Sequence, residues 1–385
     1  MSVVGVGHRG AVSDTNLLPT YPETTIGFVE GDGVSLTDTD GRRYLDFAAG
    51  IAVVSLGHRH PAPLAAAHAQ LDRLWHASNL YATEPALELA GLISDRFGGA
   101  QAFFCNSGTE ANEAAIKYAR KATGKAGVLA LEGSFHGRTL GALAVTGQPS
   151  KRSAFEPLGP ARFATPNDTP SLYEAAGDDI GLVLLEPVLG EGGVIPLDRG
   201  FVAAAATLAD ELGALLAFDE VQTGVGRTGT FFAWEQLGVK PHLVTLAKAL
   251  ANGLPIGCLL VADDAPRGFA PGDHGSTFGG NPVSCAAAVA VCRTIDDDLL
   301  ANVRENGARL LSGLAALPAV TAARGAGLLV GAVLDRPAQQ VADAALDAGL
   351  VCLTAGPDVL RLAPPLVAGA DDIDHALAIL TEVTA

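Results

Sequence analysis

Between about Phe97 and Gly280 the chain repeats one pattern: short apolar runs separated by segments whose apolar residues recur at helical spacing. The runs are Gln101-Ala-Phe-Phe-Cys105, Gly127-Val-Leu-Ala-Leu131, Ile180-Gly-Leu-Val-Leu-Leu-Glu186, Ala214-Leu-Leu-Ala-Phe-Asp219 and His242-Leu-Val-Thr-Leu-Ala247. Runs with no polar alternation suit strands buried on both faces, so the pattern predicts an α/β fold: a mainly parallel sheet with helices on both faces.

The flanks differ. Residues 1 to about 18 show no periodicity and predict a loosely draped arm, while Gly27 to Phe47 alternates around an Asp40-Gly41 turn and predicts a β-hairpin. Pro61 to Phe97 reads as helix, interrupted around Trp75 to Pro85, and Pro282 to Leu317 as one long helix or two. Apolar runs at Gly327–Leu334, Leu350–Leu353 and Val359–Pro365, with a helical stretch near Gln339 to Ala348, predict a smaller α+β unit. The expected division is 1–48 for the arm and a hairpin packing with the small domain, 49–284 for a large domain, and 285–385 for the small C-terminal one. A chain of 385 residues can bury cores of that size.

With 25 basic and 42 acidic residues the net charge is −17, which argues against nucleic acid and anionic membranes as partners. The first twenty residues hold no cationic stretch followed by an apolar core, and nowhere do eighteen apolar residues run together, so a soluble cytoplasmic protein is expected. Five cysteines without a Cys-x-x-Cys pair read as buried reduced thiols.

Chemistry concentrates where runs end. Asp219 closes one run, and an unpaired carboxylate there would be costly, so it needs a cationic or hydrogen-bonding partner or caps a helix. Lys248 stands alone in Leu246-Ala-Lys-Ala-Leu250, about one strand–helix–strand unit later. The pair suits pyridoxal phosphate: an amine can link to the cofactor aldehyde and return as general base, and a carboxylate can hold the pyridine nitrogen protonated. Burial would lower the amine's pKa toward neutrality, whereas a snorkelling lysine at a strand end would keep its charge. Gln222 could reach the cofactor's phenolic oxygen.

Asn106-Ser-Gly-Thr-Glu-Ala111 follows a run and opens a helix, so Ser107, Gly108 and Thr109 form either a phosphate site at a helix N-terminus or an ordinary cap. Phe135 and Arg138 offer an aromatic face and a guanidinium fork, unless they are core and surface ion pair respectively; Glu186 and Glu191 follow the next run. Gly5-Val-Gly-His-Arg-Gly10 and Gly224-Val-Gly-Arg-Thr-Gly229 match dinucleotide-loop spacing without the strand before or the acid after, which argues against an NAD-binding protein. His58-Arg-His60 lacks acidic or thiol partners at ligand spacing, so helix entry before Pro61 is preferred and no metal is expected.

Taken together these motifs resemble the class III, fold-type I pyridoxal phosphate-dependent aminotransferases, and within them the acetylornithine aminotransferase subfamily. The resemblance runs from about Leu18 to the C-terminus and includes Leu56-Gly-His-Arg-His-Pro61, Asn106–Asn112, Phe135-His-Gly-Arg138, Glu186–Gly193, Phe218–Gly229, Ala247-Lys-Ala-Leu250, His274–Pro282 and Ala355–Leu366. It implies Lys248 as the lysine joined to the cofactor, Asp219 as partner of the ring nitrogen, Gln222 at the phenolic oxygen, Phe135 stacked on the ring, and Glu186 in the cofactor site. Ser107, Gly108 and Thr109 would hold the phosphate, with Thr277 reaching in from the second subunit of a homodimer.

For substrate, the resemblance implies Arg138 for the donor's carboxylate, Arg361 for the α-carboxylate of glutamate or 2-oxoglutarate, and Glu191 as a movable mask for Arg361. The implied reaction moves the terminal amino group of N2-acetyl-L-ornithine to 2-oxoglutarate in arginine biosynthesis. Ornithine, 4-aminobutyrate and succinyldiaminopimelate are the alternative donors. His136 beside Phe135 favours acetylornithine enzymes over ornithine enzymes, which usually carry Trp there. Tyr21 would contact substrate, but Tyr21-Pro-Glu-Thr departs from relatives that place an arginine two residues after the tyrosine.

Overall fold

The computed structural model describes residues 16, 18–21 and 26–385. Most of the expected N-terminal arm, the Gly5–Gly10 stretch and Glu23 lie outside the described residues. The segment after Gly27 forms three strands instead of the expected hairpin of two: β1 (Phe28–Asp32), β2 (Ser35–Asp38) and β3 (Arg43–Asp46), each antiparallel to the next. The Asp40-Gly41 turn joins β2 to β3 as expected, with Gly41 at φ +81°; a second Asp-Gly pair, Asp32-Gly33, makes the additional turn with Gly33 at φ +54°.

The apolar runs become β4 (Ala100–Cys105), β5 (Gly127–Leu131), β6 (Ala161–Ala164), β7 (Ile180–Leu185), a small ribbon of β8 (Val188–Leu189) with β9 (Ile195–Pro196), β10 (Leu215–Asp219), β11 (Leu243–Leu246) and β12 (Gly257–Ala262). Seven of them form the central sheet in the order β4-β12-β11-β10-β7-β5-β6. Neighbours are parallel except around β12, which is antiparallel to both β11 and β4. β4 therefore runs with the other five, and the chain leaves all six parallel strands at the same edge. The short β6 and the antiparallel β12 are two strands beyond those expected from sequence. Between β10 and β11 the expected helix is replaced by turns and a single 3-10 turn, Ala233–Gln236.

Side chains within one strand divide between two cores, as the two-residue period of a strand requires. Val128 and Ala130 pack with Ala115, Ala119 and Tyr118 of the helix Gly108–Thr123 on one face. Leu129 and Leu131 pack with Phe201, Ala205 and Leu208 of the helix Arg199–Leu212 on the other. Residues 282–315 form two helices, Pro282–Thr294 and Asp297–Ala315.

Beyond them β13 (Val320–Ala326), β14 (Leu329–Leu334), β16 (Leu353–Thr354) and β17 (Val359–Leu362) make an antiparallel sheet ordered β13-β14-β17-β16. β15 (Leu350–Val351) instead pairs in parallel with β3, matching Leu350 to Leu45. The helices Ala338–Ala348 and Ala370–Thr384 cover these strands, and Leu45 and Phe47 share a core with Val330, Leu360 and Ile373. Among the described residues no helix is long and apolar enough to cross a membrane.

Candidate active site

A cavity of about 370 Å³ opens at the edge where the parallel strands end. β4 delivers Ser107, Gly108 and Thr109 to it, β5 delivers Phe135 and Arg138, β7 delivers Glu186, β10 delivers Asp219 and Gln222, and β11 delivers Lys248. β12 starts at this edge, because its first residue Gly257 pairs with Cys105 at the end of β4, and the preceding Pro255 and Ile256 complete the wall.

At the floor Asp219 is 3% exposed and carries three hydrogen bonds. Asn112 Nδ2 donates to Oδ2 at 2.7 Å, His136 Nδ1 lies 2.7 Å from the same oxygen, and the Val221 N–H donates to Oδ1 at 3.0 Å. A carboxylate only accepts, so His136 carries its proton on Nδ1 in this contact. Asn112 is itself held, donating to the His136 carbonyl at 2.7 Å and accepting from Thr245 Oγ1 at 2.9 Å. The buried His136 Nε2 has no hydrogen-bond partner among the described residues. Asn112, His136 and Thr245 are functional candidates that the sequence reading did not assign; Asn112 left a signal, as an amide on the otherwise apolar buried face formed by Ala111, Ala115 and Ala119.

The helix Gly108–Thr123 points its N-terminus at the cavity. Ser107 Oγ accepts from the Glu110 N–H at 3.3 Å, Glu110 sits in the first turn, and Gly124 closes the helix at φ +70°. Ser107 thus caps, and the positive end of the macrodipole still faces the cavity. A Cβ at Gly108 would stand 2.7 Å from Val221 Cγ1, so only glycine lets the helix start this close to the segment after Asp219. Thr109 Oγ1 lies 2.7 Å from Thr139 Oγ1.

Lys248 occupies a left-handed position, φ +40°, at the start of a 3-10 turn. Burial pulls its amine down to about 8, against the opposing influence of Glu191, which makes a neutral amine accessible near neutral pH. It does not snorkel, and its amine makes no hydrogen bond among the described residues. Phe135 lines the cavity instead of a core, and its N–H donates to Glu186 Oε1 at 2.8 Å. Glu186 also accepts from the Gly190 N–H at 3.2 Å, and burial pushes its carboxyl up to about 7, opposed by His136.

Beside Gln222 lies a charged pair. Arg361, on β17 and 4% exposed, donates through Nη1 to Glu191 Oε1 at 2.5 Å, to the Gly190 carbonyl at 3.0 Å and to Gln222 Oε1 at 3.2 Å. Burial alone would raise the Glu191 carboxyl, but Arg361 outweighs it and holds the group below the usual carboxylate range. A Cβ at Gly190 would come within 2.2 Å of Gln222 Oε1, so glycine permits this approach.

Two expected residues stand apart: Tyr21 is 83% exposed and Thr277 is exposed, and neither lines the cavity of its own chain. The Gly224–Gly229 stretch is no phosphate loop. It buries Arg227 completely, and the guanidinium donates to the carbonyls of Leu328 and Pro364 and to Ser55 Oγ. His60 Nδ1 accepts from the Ala62 N–H at 3.3 Å and caps the helix Pro61–Leu71, while His58 pairs with Asp46 at 2.7 Å. Four cysteines are buried as expected, but Cys352 is only half-buried.

The class-III aminotransferase family matches residues 19–384. The chain belongs to that family. It is 48% identical over 373 residues to an acetylornithine aminotransferase from Mycolicibacterium smegmatis, covering 95% of each chain, and 46% identical over 386 residues to one from Gloeobacter violaceus, covering 97% and 96%. The solved N-acetylornithine aminotransferase of Stenotrophomonas maltophilia superposes with a TM-score of 0.82 at 37% identity over 94% of this chain and 96% of that one. The ornithine aminotransferase of Toxoplasma gondii superposes at 0.90 with 28% identity, over 96% and 91%.

The enzyme is therefore a transaminase of fold-type I whose cofactor is pyridoxal phosphate. The cavity suits that group on its own evidence: a carboxylate positioned by Asn112 and His136, a helix N-terminus for a phosphate, an aromatic face, and a buried amine face one space.

Proposed function

We propose that the protein transfers the terminal amino group of N2-acetyl-L-ornithine to 2-oxoglutarate, giving N-acetyl-L-glutamate 5-semialdehyde and L-glutamate, and that it does so in arginine biosynthesis as a cytoplasmic homodimer. Pyridoxal phosphate, when bound, supplies an aldehyde that joins amines reversibly and a ring that withdraws electrons from the carbon carrying the nitrogen.

The protein's own residues do the rest. Asp219 meets the ring nitrogen, its orientation set by Asn112 and His136, and the helix N-terminus at Ser107, Gly108 and Thr109 binds the phosphate. Phe135 covers one ring face, Glu186 holds the Phe135 loop against the site, and Gln222 offers its amide N–H to the phenolic oxygen. Lys248 Nζ takes the proton from the donor carbon that bears the amine and delivers it on the other side of the exchange. Thr277, exposed and outside its own chain's cavity, serves the site of a second copy, and the exposed Tyr21 contacts substrate at the site mouth.

The Glu191–Arg361 pair carries the choice of substrates. One pocket must first admit a terminal amine with no charge beside the reacting carbon, then a dicarboxylate with a carboxyl group on that carbon. Glu191 on Arg361 neutralises the site for the amine; Glu191 displaced frees the guanidinium for the α-carboxylate. Arg138, exposed at the mouth, takes the donor's carboxylate. The deciding experiment compares half-reaction rates with acetylornithine, ornithine, 4-aminobutyrate and succinyldiaminopimelate. Acetylornithine should be fastest, and a clear preference for unacetylated ornithine overturns the assignment.

A further inference from the structure

Phe135 is approached by two cations. Arg138 Cζ lies 5.5 Å and Lys151 Nζ 4.8 Å from its ring centroid. Neither side chain forms a hydrogen bond or ion pair among the described residues. Arg138 is exposed and solvated, whereas Lys151 is half-buried on the turn Pro149–Arg152. Burial lowers the Lys151 amine, Glu191 opposes that shift, and Arg138 and Arg361 reinforce it. Lys151 senses Glu191, Arg138, Arg361 and Glu186, of which Arg138 and Glu186 line the cavity, and the carboxylate of largest influence, Glu191, is already engaged by Arg361. A desolvated ammonium beside another cation, with its anion committed elsewhere, gains most from an incoming anionic ligand.

We infer that Lys151 is a specificity-determining residue of the site, which together with Arg138 binds the substrate carboxylate remote from the carbon that exchanges its amino group. Arg138 supplies a fork and Lys151 a compact point charge, so the two can bracket one carboxylate without requiring a single geometry. A donor bearing that carboxylate is thereby favoured over the same amine without it. The inference rests on the substrate reading above for the identity of the donor, but the rule applies equally to the γ-carboxylate of glutamate.

The test uses pyridoxal phosphate-loaded enzyme and two matched pairs: N-acetylornithine against N-acetylputrescine, which lacks the carboxylate, and glutamate against 2-aminobutyrate, which lacks the γ-carboxylate. In Lys151→Gln the kcat/KM ratio within each pair should fall about tenfold, mostly through KM, as loss of one charged contact implies. Lys151→Arg should recover most of the ratio. Unchanged ratios, or an arginine variant as impaired as the glutamine one, overturn the inference, since packing against Phe135 would then account for the residue. A wild-type enzyme that ignores N-acetylornithine refutes the donor assignment alone, and the glutamate pair still decides the role of Lys151.

Discussion

Around Asp219 every polar partner is fixed by burial, with Asn112, His136 and the Val221 N–H closing on one carboxylate that is 3% exposed. Arg361, equally deep, meets a Glu191 whose side chain is still 22% exposed, on a glycine-rich turn. Both are buried charges that need company, yet one has partners with nowhere to go and the other has a partner that can leave. A ring held in the same place through both half-reactions needs the first arrangement. Two substrates that differ by a carboxylate need the second.

The largest effect should come from the amine between the two regions. Lys248→Ala should lower turnover by about a thousandfold or more while non-covalent cofactor binding persists, as equilibrium dialysis beside steady-state rates would show. Retained turnover would remove the residue from the chemistry. Asp219→Asn keeps the volume but replaces one accepting oxygen by an NH2 group, which must face either the Val221 N–H or the Asn112 and His136 donors. Turnover should fall about a hundredfold and the fold should lose about 1–3 kcal/mol in denaturant titrations. An unaltered protein would mean that the network is not the rigid wall described.

Glu191→Ala should leave that wall intact and act only on selectivity. An unmasked Arg361 should slow the amine half-reaction about tenfold relative to the glutamate half-reaction in single-turnover spectra. Equal slowing of both would erase the difference between the two regions.

The smallest effect concerns Glu220, next to Asp219, whose oxygens accept the Ala233 and Trp234 N–H groups at 2.7 and 2.8 Å. Burial pushes its carboxyl up to about 8 from an ordinary 4.5. The folded state then binds the proton more tightly than the unfolded one, so this group costs stability progressively as pH rises from about 4.5 to 8. Glu220→Gln turns an amide N–H toward Ala233 or Trp234 at every pH but removes the cost of ionisation, so its Tm change should be more favourable at pH 8 than at pH 5, by about 2 °C in scanning calorimetry. No difference between the two pH values would show that water reaches this side of the site.

Strands buried on both faces were readable because short apolar runs without polar alternation suit a sheet covered on both sides, and their ends located Asp219 and Lys248. β12 carries such a run too, Gly257–Ala262, but a run says nothing of direction, and its reversal beside β4 follows from the chain path. β6 is a four-residue edge strand carrying Arg162, too short and too polar to stand out. Asn112 and His136 reach Asp219 from 107 and 83 residues away, and no local spacing encodes such a meeting. Gly224–Gly229 has the dinucleotide-loop spacing without its flanks, and only the structure shows what its glycines do: they let a turn bury the Arg227 guanidinium against three separate segments.

Borohydride reduction of the pyridoxal phosphate-loaded protein, followed by peptide mapping, probes the linkage on which both walls converge. The phosphopyridoxyl label should fall on Lys248 alone. A label on another lysine, or none in protein that has bound the cofactor, would contradict the placement of the cofactor between Asp219 and Arg361.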